Sequence, residues 1–417
     1  MRETDRVRKA RGPRMKEDSM ANEDKEIETI PVGPLGLVPL KSCEELGKKV
    51  DAYLVQWRSA RQSEHKNTIA FSGYQKDSYI IKSRISRFGT GEGKGELLES
   101  VRGDDLFLLV DVCNYSLTYS LCGMTNHMSP DDHFSDLKRI IMAAAGKARR
   151  ISVIMPFLYE SRQNRRTARE SLDCSLALHE LVSMGVENII TFDAHDPRVQ
   201  NSIPLHGFET VQPIYQFLKA LLAAEPDLVV DTDHMRIISP DAAGMSRAIY
   251  FANMLGLDVG MFYKRRDYTR LVNGRNPVVA HEFLGNDVTG KTVIIVDDMI
   301  SSGNSALEVA RELKRRHAAR VFICATFGLF TNGLAEFDRN YEEGNIDRVF
   351  TTNLTYQPPE LLARPYYTSV DMSKYIALII DDLNHDASIS SLLTPIDRVS
   401  RALERHQAEL SRRNAEH

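Results

Sequence analysis

The segment VIIVDDMISSGNSALEVA, residues 293–310, joins two acids to a loop of small polar residues. An apolar run ends in Asp297 and Asp298, and a helical pattern begins directly after the loop. Small residues let backbone N–H groups turn inward, and a helix N-terminus adds positive potential, so such a loop can bind phosphate. Carboxylates just before it can accept hydrogen bonds from sugar hydroxyls. The segment therefore predicts a ribose phosphate site, whose loop residues are Ser301, Ser302, Gly303, Asn304 and Ser305.

An ordinary strand–turn–helix, in which Ser or Asn caps the helix, is the alternative interpretation of this segment. Two consecutive acids at the end of an apolar strand favour the functional one. SPDAAGMSRA, residues 239–248, repeats the order of strand, acid, small residues and helix. Its Asp241 is a candidate ligand of Mg²⁺ or of a water in its shell, although a plain helix start fits this loop equally well. In TFDAHD, residues 191–196, His195 follows another apolar run.

Two further segments concentrate positive charge. Lys264, Arg265 and Arg266 end an apolar run and open a polar loop in MFYKRRDYTRLVNGRN, residues 261–276. Adjacent cations usually form a solvated face, but this position suits a lid that brings charge to a polyphosphate. Arg162 and Gln163 lie in FLYESRQNRRTARES, where arginine can bind phosphate or stack on a base.

The elements that must position these residues are short apolar runs alternating with amphipathic helical patterns. The runs are rich in Val and Ile and nearly continuous, which is typical of parallel strands covered on both faces. The alternation predicts a doubly wound, mostly parallel α/β fold. Two similar blocks, 30–206 and 207–393, are predicted to be domains, preceded by a polar tail (1–29) and followed by a helix or tail (394–417).

Composition narrows the class of protein. The chain has 417 residues, a formal net charge of −4 and 42% hydrophobic residues, so it is predicted to be globular and not to bind nucleic acid or acidic membranes. No apolar run approaches the roughly 18–20 residues of a membrane span. Five scattered cysteines and the absence of a secretory signal favour a reduced, cytoplasmic protein.

Taken together, the motifs resemble those of the ribose-phosphate pyrophosphokinases, or phosphoribosyl-pyrophosphate synthetases, from about residue 88 to 393. VIIVDDMISSGNS looks like the phosphoribosyl-pyrophosphate motif of the type I phosphoribosyltransferase fold, and SPDAAG resembles the family's pyrophosphate loop. Ser301 and Ser302 stand where the family has Asp-Thr, and Ala243 replaces a glycine. The resemblance implies two phosphoribosyltransferase-type domains, of which the C-terminal one holds the ribose 5-phosphate site.

The resemblance also implies a role for each matching residue. His195 and Asp241 would form the metal site for Mg²⁺, and Lys264 and Arg266 would be catalytic. Arg266 would also contact the sugar phosphate. The ATP-binding residues would be Phe88, Glu92, Arg162 and Gln163, with the first two contributed across a subunit boundary.

The implied activity is transfer of the pyrophosphoryl group of Mg–ATP to the C1 hydroxyl of ribose 5-phosphate, by a homo-oligomer that is dimer-based and possibly a hexamer. The products would be 5-phosphoribosyl 1-pyrophosphate and AMP, for nucleotide biosynthesis. Two alternatives are a non-catalytic regulatory partner of such a synthetase and a phosphoribosyltransferase that acts on a base. Joint presence of His195, Asp241, Lys264 and Arg266 favours the enzyme.

Overall fold

Two mostly parallel sheets form the framework of the chain. The computed structural model describes residues 29–60, 73–266 and 278–416, and for residues 264–266, 278–281, 414 and 416 it describes the backbone alone. The predicted tail, 1–29, lies outside the described residues except for its last one. The predicted doubly wound α/β class is confirmed.

The N-terminal sheet has five parallel strands in the order β1-β4-β7-β8-β9. Every residue of β4 and β7 is buried, so both strands are mostly apolar rather than alternating. Their first residues, Asp105 and Arg150, form an ion pair of 2.8 Å. Two hairpins, β2–β3 and β5–β6, lie outside this sheet. The strands are β1 (Leu35–Pro39), β2 (Ser83–Arg87), β3 (Gly93–Leu97), β4 (Asp105–Leu109), β5 (Thr118–Leu121), β6 (Met124–His127), β7 (Arg150–Ile154), β8 (Asn188–Phe192) and β9 (Gly207–Val211).

Helices connect these strands. The clearest start signal is at Ser129, whose side chain accepts from the Asp132 backbone N–H while the Asp132 carboxylate accepts from the Ser129 N–H, with Pro130 following the cap. The described helices of this half are α1 (Glu44–Ala60), α2 (Pro130–Ala144) and α3 (Asp173–Ser183), with 3₁₀ turns at Lys41–Cys43 and Pro197–Ser202.

The C-terminal sheet has seven strands in the order β12-β11-β10-β13-β14-β15-β16. Within it, the β11–β12 pair is antiparallel and the other neighbouring strands are parallel. The strands are β10 (Met235–Ser239), β11 (Asp258–Arg266), β12 (Val278–Leu284), β13 (Thr292–Ile300), β14 (Arg320–Gly328), β15 (Arg348–Thr352) and β16 (Tyr367–Val370). The helices are α4 (Ile214–Ala224), α5 (Met245–Leu255), α6 (Asn304–Arg315), α7 (Ala335–Glu342), α8 (Pro359–Leu362), α9 (Ser373–Asn384), α10 (Ser390–Leu393) and α11 (Ile396–Glu416).

Strand pairing and helix packing connect the two halves more closely than a division at residue 206 suggests. β9 begins at Gly207 and pairs with β8, so the first sheet continues to Val211. α9 comes late in the chain but packs on α1, where Arg58 forms a buried ion pair of 3.1 Å with Asp381. The N-terminal core is therefore completed by a helix from the end of the second block.

The last helix docks on the C-terminal half. α11 spans 21 residues, and its buried His406 places Nε2 2.7 Å from the Leu228 carbonyl oxygen. Its apolar side packs near α4 and α5 through residues such as Val399. None of the helices within the described ranges is long and apolar enough to cross a membrane.

Candidate active site

The carboxyl ends of β8 and β13 meet where the two halves face each other. His195, three residues beyond β8, places Nδ1 2.6 Å from Oδ2 of Asp298 in β13. Nearby, the rings of Phe157 and Phe327 pack edge to face with centroids 5.0 Å apart. Parallel sheets place ligands at the carboxyl ends of their strands, so this meeting point is the candidate site.

The buried carboxylate of Asp193 links groups from both halves beside the His195–Asp298 contact. Asp193 has a positive φ of 40° and is 1% exposed, and it accepts hydrogen bonds from three side chains. Arg247 Nε lies 2.7 Å from one of its carboxylate oxygens, Thr326 Oγ1 2.7 Å from the other, and Gln212 Nε2 3.0 Å from the first. Arg247 also approaches Asp298, at 3.9 Å. Asp193 and Arg247 therefore couple the strand end of one half to the other half.

Arg247 is the main residue that the motif analysis missed. Arg247 lies in the first turn of α5, directly after the Asp241 loop. From the sequence alone, it could not be distinguished from an exposed arginine. The available signal was a second acid, Asp193, inside an apolar motif, since a buried carboxylate requires a cation or several hydrogen-bond donors.

The two adjacent acids of β13 have opposite electrostatic environments. Burial alone would raise the pKa of Asp298, but the His195 bond and the Arg247 charge outweigh it and lower that pKa to about 2. Burial and the Asp298 charge raise the pKa of Asp297 well above its usual range. Asp298 is therefore ionised and engaged by His195, while Asp297 is the carboxyl that more readily keeps a proton.

The His195–Asp298 pair defines a pH window. The hydrogen bond from His195 to Asp298 raises the pKa of His195 above the usual 6.5. The stability that protonated His195 contributes is therefore full below pH 6.5 and is lost as pH rises through the folded-state pKa. The pKa of Asp298 is lowered from 3.8 to about 2, so its contribution is full above 3.8 and is lost as pH falls. The contact between the two halves is strongest between these limits.

We expect Asp298→Asn to lower the pKa of the His195 imidazole, because the charged acceptor is removed. An NMR titration of the imidazole resonances measures this shift. Asp196→Asn is the control, since Asp196 is adjacent in sequence but pairs with Arg198 at 2.6 Å. Equal His195 pKa values in the parent and both variants would contradict the pairing.

The loop after β13 has the geometry of an anion site. Gly303 precedes α6 with φ of 81°, in the left-handed region that favours glycine. A Cβ added there would lie 2.4 Å from the buried Phe337 ring. Ser301 and Ser302 are partly exposed and Asn304 is exposed, while Ser305 lies in the first turn of α6. The backbone N–H groups of a helix N-terminus are thus accessible beside the two acids.

Gly303→Ala should lower the free energy of unfolding by about 2–5 kcal/mol, because a left-handed conformation and a clash with Phe337 add. Gly290→Ala is a matched control: Gly290 has φ of 71°, but nothing lies within 4 Å of an added Cβ. It should cost only the conformational part, about 1–2 kcal/mol. Urea denaturation measures both, and equal losses would show that Phe337 does not crowd this turn.

The Asp241 loop follows β10, which pairs with β13, so it lies at the same edge of the C-terminal sheet. The Asp241 carboxylate bonds to the backbone of its own loop. Asp241 Oδ1 accepts from the backbone N–H groups of Ala243 and Gly244 at 2.9 and 3.0 Å. These contacts form a turn just before α5, whose N-cap is Gly244 without a side-chain cap, so Asp241 lies near the helix start, as the alternative interpretation expected, but does not cap it. Contacts among the described residues do not join Asp241 to His195, and within those ranges no group of three or more His, Cys, Asp or Glu is placed to hold a metal ion.

The predicted nucleotide segment reaches the site from the N-terminal half. Arg162 places Nη2 2.7 Å from the Met299 sulfur in β13, and its charge lowers the pKa of His195 against the larger effect of Asp298. Gln163 is exposed, and its backbone N–H donates to the Glu160 carbonyl at 2.8 Å. Arg162 therefore lies beside His195, at the boundary between the halves.

Among the described residues, two predicted ones, Phe88 and Glu92, form no hydrogen bond or ion pair with this cluster. Phe88 and Glu92 lie at the tip of the β2–β3 hairpin, where Phe88 is 57% exposed and the Glu92 carboxylate accepts from Thr90 Oγ1 at 2.8 Å. Lys264 and Arg266 end β11, opposite β12, but their side chains lie outside the described part of the structure. Their assigned roles stay predictions.

The fold and the site define a class: α/β proteins with two phosphoribosyltransferase-type sheets and a loop of small residues after a strand that carries two adjacent acids. Residues 35–185 match the N-terminal domain of ribose phosphate pyrophosphokinase, and residues 275–394 match the phosphoribosyl synthetase-associated domain. The ribose-phosphate pyrophosphokinase of Shewanella oneidensis is 31% identical over 316 residues, 74% of this chain and 90% of that protein. The chain belongs to the ribose-phosphate pyrophosphokinase family, as the motifs predicted.

Other comparisons agree. The ribose-phosphate pyrophosphokinase of Vibrio parahaemolyticus is 29% identical over 312 residues, again covering 74% of this chain and 90% of that protein. The crystal structure of phosphoribosylpyrophosphate synthetase from Mycobacterium smegmatis superposes with a TM-score of 0.66 at 21% identity, covering 85% of this chain and 99% of that one. At that identity the superposition supports the fold.

Proposed function

We propose that this chain transfers the pyrophosphoryl group of Mg–ATP to the C1 hydroxyl of ribose 5-phosphate, giving 5-phosphoribosyl 1-pyrophosphate and AMP. The observation that carries the proposal is the 2.6 Å contact between His195 and Asp298, which joins the strand end of one half to β13, the strand that precedes the candidate phosphate loop of the other. Family membership supports the same reaction. An enzyme that transfers a group between two phosphorylated substrates must bind them next to each other, and this contact brings the two candidate binding regions together.

The C-terminal half would bind the sugar. The accessible backbone N–H groups of residues 301–305 suit the 5-phosphate, and the serine hydroxyls add donors. Asp297 and Asp298 would bind the ribose hydroxyls. Burial and the Asp298 charge raise the pKa of Asp297, whereas Asp298 is held by His195.

The nucleotide would lie on the N-terminal half beside Arg162 and Gln163. Arg162 is exposed and close to His195, so its guanidinium can bind phosphate oxygens. Phe88 and Glu92 are displayed on an exposed hairpin away from the cluster. In a homo-oligomer that hairpin could supply adenine contacts to a neighbouring subunit, which is the arrangement that we propose.

The donors at the site fit a magnesium ion held largely by substrate. Mg²⁺ keeps several waters and usually takes one or two carboxylates together with substrate phosphates, so it does not require a cluster of protein ligands. Asp241 is partly exposed and its Oδ1 alone makes the two loop contacts, and His195 uses Nδ1 for Asp298. Asp241 would hold the ion, with His195 contacting its water shell. The bound ion would neutralise charge on the transferred phosphates.

The protein's part in the reaction is positioning and charge stabilisation. The C1 oxygen forms a bond to the β-phosphorus, the bond between that phosphorus and the α–β bridging oxygen breaks, and the hydroxyl proton is lost. AMP leaves with the bridging oxygen. Lys264 and Arg266 would stabilise charge on the phosphate oxygens, since phosphoryl transfer depends mainly on alignment and on cations near the developing charge.

With ATP, Mg²⁺ and ribose 5-phosphate, we expect AMP and 5-phosphoribosyl 1-pyrophosphate to appear in equal amounts. Ion-exchange chromatography separates AMP from ADP, and phosphorus NMR identifies the sugar product. ADP as the main nucleotide would indicate ordinary kinase chemistry. Intact ATP binding without turnover would indicate a regulatory partner, and consumption of the sugar pyrophosphate with a free base would indicate a phosphoribosyltransferase.

A further inference from the structure

A second cavity lies away from the candidate site, between α4, α9 and α11. Its volume is about 420 Å³, within the range of small-molecule sites. None of the residues that line it belongs to the candidate active site. One wall is α11, which begins at Ile396, beyond the second family-matched range that ends at residue 394. The cavity is therefore built partly from chain outside the matched ranges.

The cavity concentrates positive charge on a chain that is net negative. Five cationic side chains line it: Lys219, Lys374, Arg398, Arg401 and Arg405. Asp371 is the single acidic residue among the lining residues, so cations outnumber acids on this lining, whereas the whole chain carries a net charge of −4. Asp371 Oδ1 already accepts from Asn353 Nδ2 at 2.8 Å and from Ser373 Oγ at 2.6 Å. Its carboxylate is thus engaged by other donors.

The arginines of α11 share one helix face. Their spacing of three and four residues places them side by side. Within the described residues, no ion pair joins Arg398 or Arg405 to a carboxylate, and Arg401 Nε donates to the Asp397 carbonyl of its own helix. Arg398 is half-buried near Tyr375. Several cations that face one cavity repel each other, and an anion between them relieves this repulsion.

An unpartnered polar atom lies at the same cavity. Gln216 lines it from α4, and its Oε1 is buried without a hydrogen-bond partner. That oxygen has almost no accessible surface, so it does not face a ligand in the cavity as the chain stands. Tyr215 adds an aromatic ring to the same wall. The lining therefore combines cations for phosphate with an aromatic surface.

We propose that this cavity is a second binding site, for a phosphorylated small molecule with two or more phosphate groups. Guanidinium groups bind phosphate oxygens in pairs, and the arginine face of α11 supplies three of them. The phosphate charge would be neutralised by these guanidinium groups. A volume of about 420 Å³ suits a small molecule rather than an acidic segment of another protein.

Titration calorimetry with inorganic tripolyphosphate tests the proposal on the full chain. The parent should show a site that the double variant Arg398→Gln/Arg405→Gln loses or binds roughly ten- to hundredfold more weakly, because charge-assisted contacts are removed. The matched control is Arg412→Gln/Arg413→Gln, which removes the same charge from exposed positions of α11 outside the cavity. The control should keep the parent's sites and affinities.

Thermal unfolding shows whether the variants are folded, and the single variant Arg405→Gln, at an exposed position, gives a milder second test. Formation of AMP in the absence of tripolyphosphate should be unchanged in all of them, which separates this site from the proposed reaction. Equal numbers of sites and equal affinities in parent, double variant and control would overturn the proposal. So would equal weakening in the control, or binding of an acidic peptide in the cavity in place of tripolyphosphate.

Discussion

Replacing Lys264 with alanine should lower kcat about a hundred- to thousandfold and change the affinity for either substrate much less. A cation that reaches the phosphates only as the transition state forms stabilises the charge that develops there more than it stabilises the bound substrates. Its loss therefore lowers kcat more than substrate affinity. Loss of one such contact costs roughly 3–4 kcal/mol, by analogy with removal of an oxyanion-hole donor. Steady-state kinetics with each substrate varied in turn separates kcat from KM.

The neighbours of Lys264 supply the controls. Arg265→Ala removes the same charge and should have the smallest effect, because Arg265 is not one of the two positions proposed to act on the phosphates. Arg266→Ala should resemble Lys264→Ala in kcat and also raise KM for ribose 5-phosphate. Equal, mild losses at all three positions would mean that they form a solvated basic surface and that no catalytic lid exists here.

Replacing Arg247 with methionine should lower the free energy of unfolding by about 3–5 kcal/mol. The reason is that Asp193 stays buried, at 1% exposure, without the guanidinium that lies 2.7 Å from it. Asp298 loses a second, weaker partner at 3.9 Å. Guanidinium chloride denaturation, followed by circular dichroism, measures the loss.

A surface ion pair provides the control for Arg247. Arg198 pairs with Asp196 at 2.6 Å, but its side chain is 75% exposed and screened by water, so Arg198→Met should destabilise far less than Arg247→Met. Adding Asp193→Asn to Arg247→Met should recover part of the stability, because the uncompensated charge is removed. If Arg247→Met and Arg198→Met were equally mild, Arg247 would not be holding the two halves of the site.

Strands and loops that depend on neighbouring residues alone were predictable. The run LFLLVDV, beginning at residue 106, corresponds to β4, and VIIVDDM, beginning at 293, corresponds to β13. Both were recognisable because strands covered on two faces are apolar at most positions. The turn after β13 was predictable for a similar reason, since Gly303 and its small neighbours suit a tight turn into a helix.

Pairings between distant residues were decided by the tertiary structure. The residues of the His195–Asp298 contact are 103 positions apart, and the Asp193–Arg247 contact links different elements. Neither has a local pattern, because each depends on how two sheets and a helix are packed. The packing of α9 on α1 likewise joins two apolar helix faces that are far apart in the sequence.

The sequence by itself thus determined the fold class, the family and the residue types available for phosphate and sugar, because these depend on periodicity and on motifs within short segments. The tertiary structure decided which of those residues meet. It set the unequal states of Asp297 and Asp298, since burial and neighbouring charge control a pKa. It also brought the arginines of α11 to a cavity shared with α4 and α9, because only packing of the last helix places their charges together.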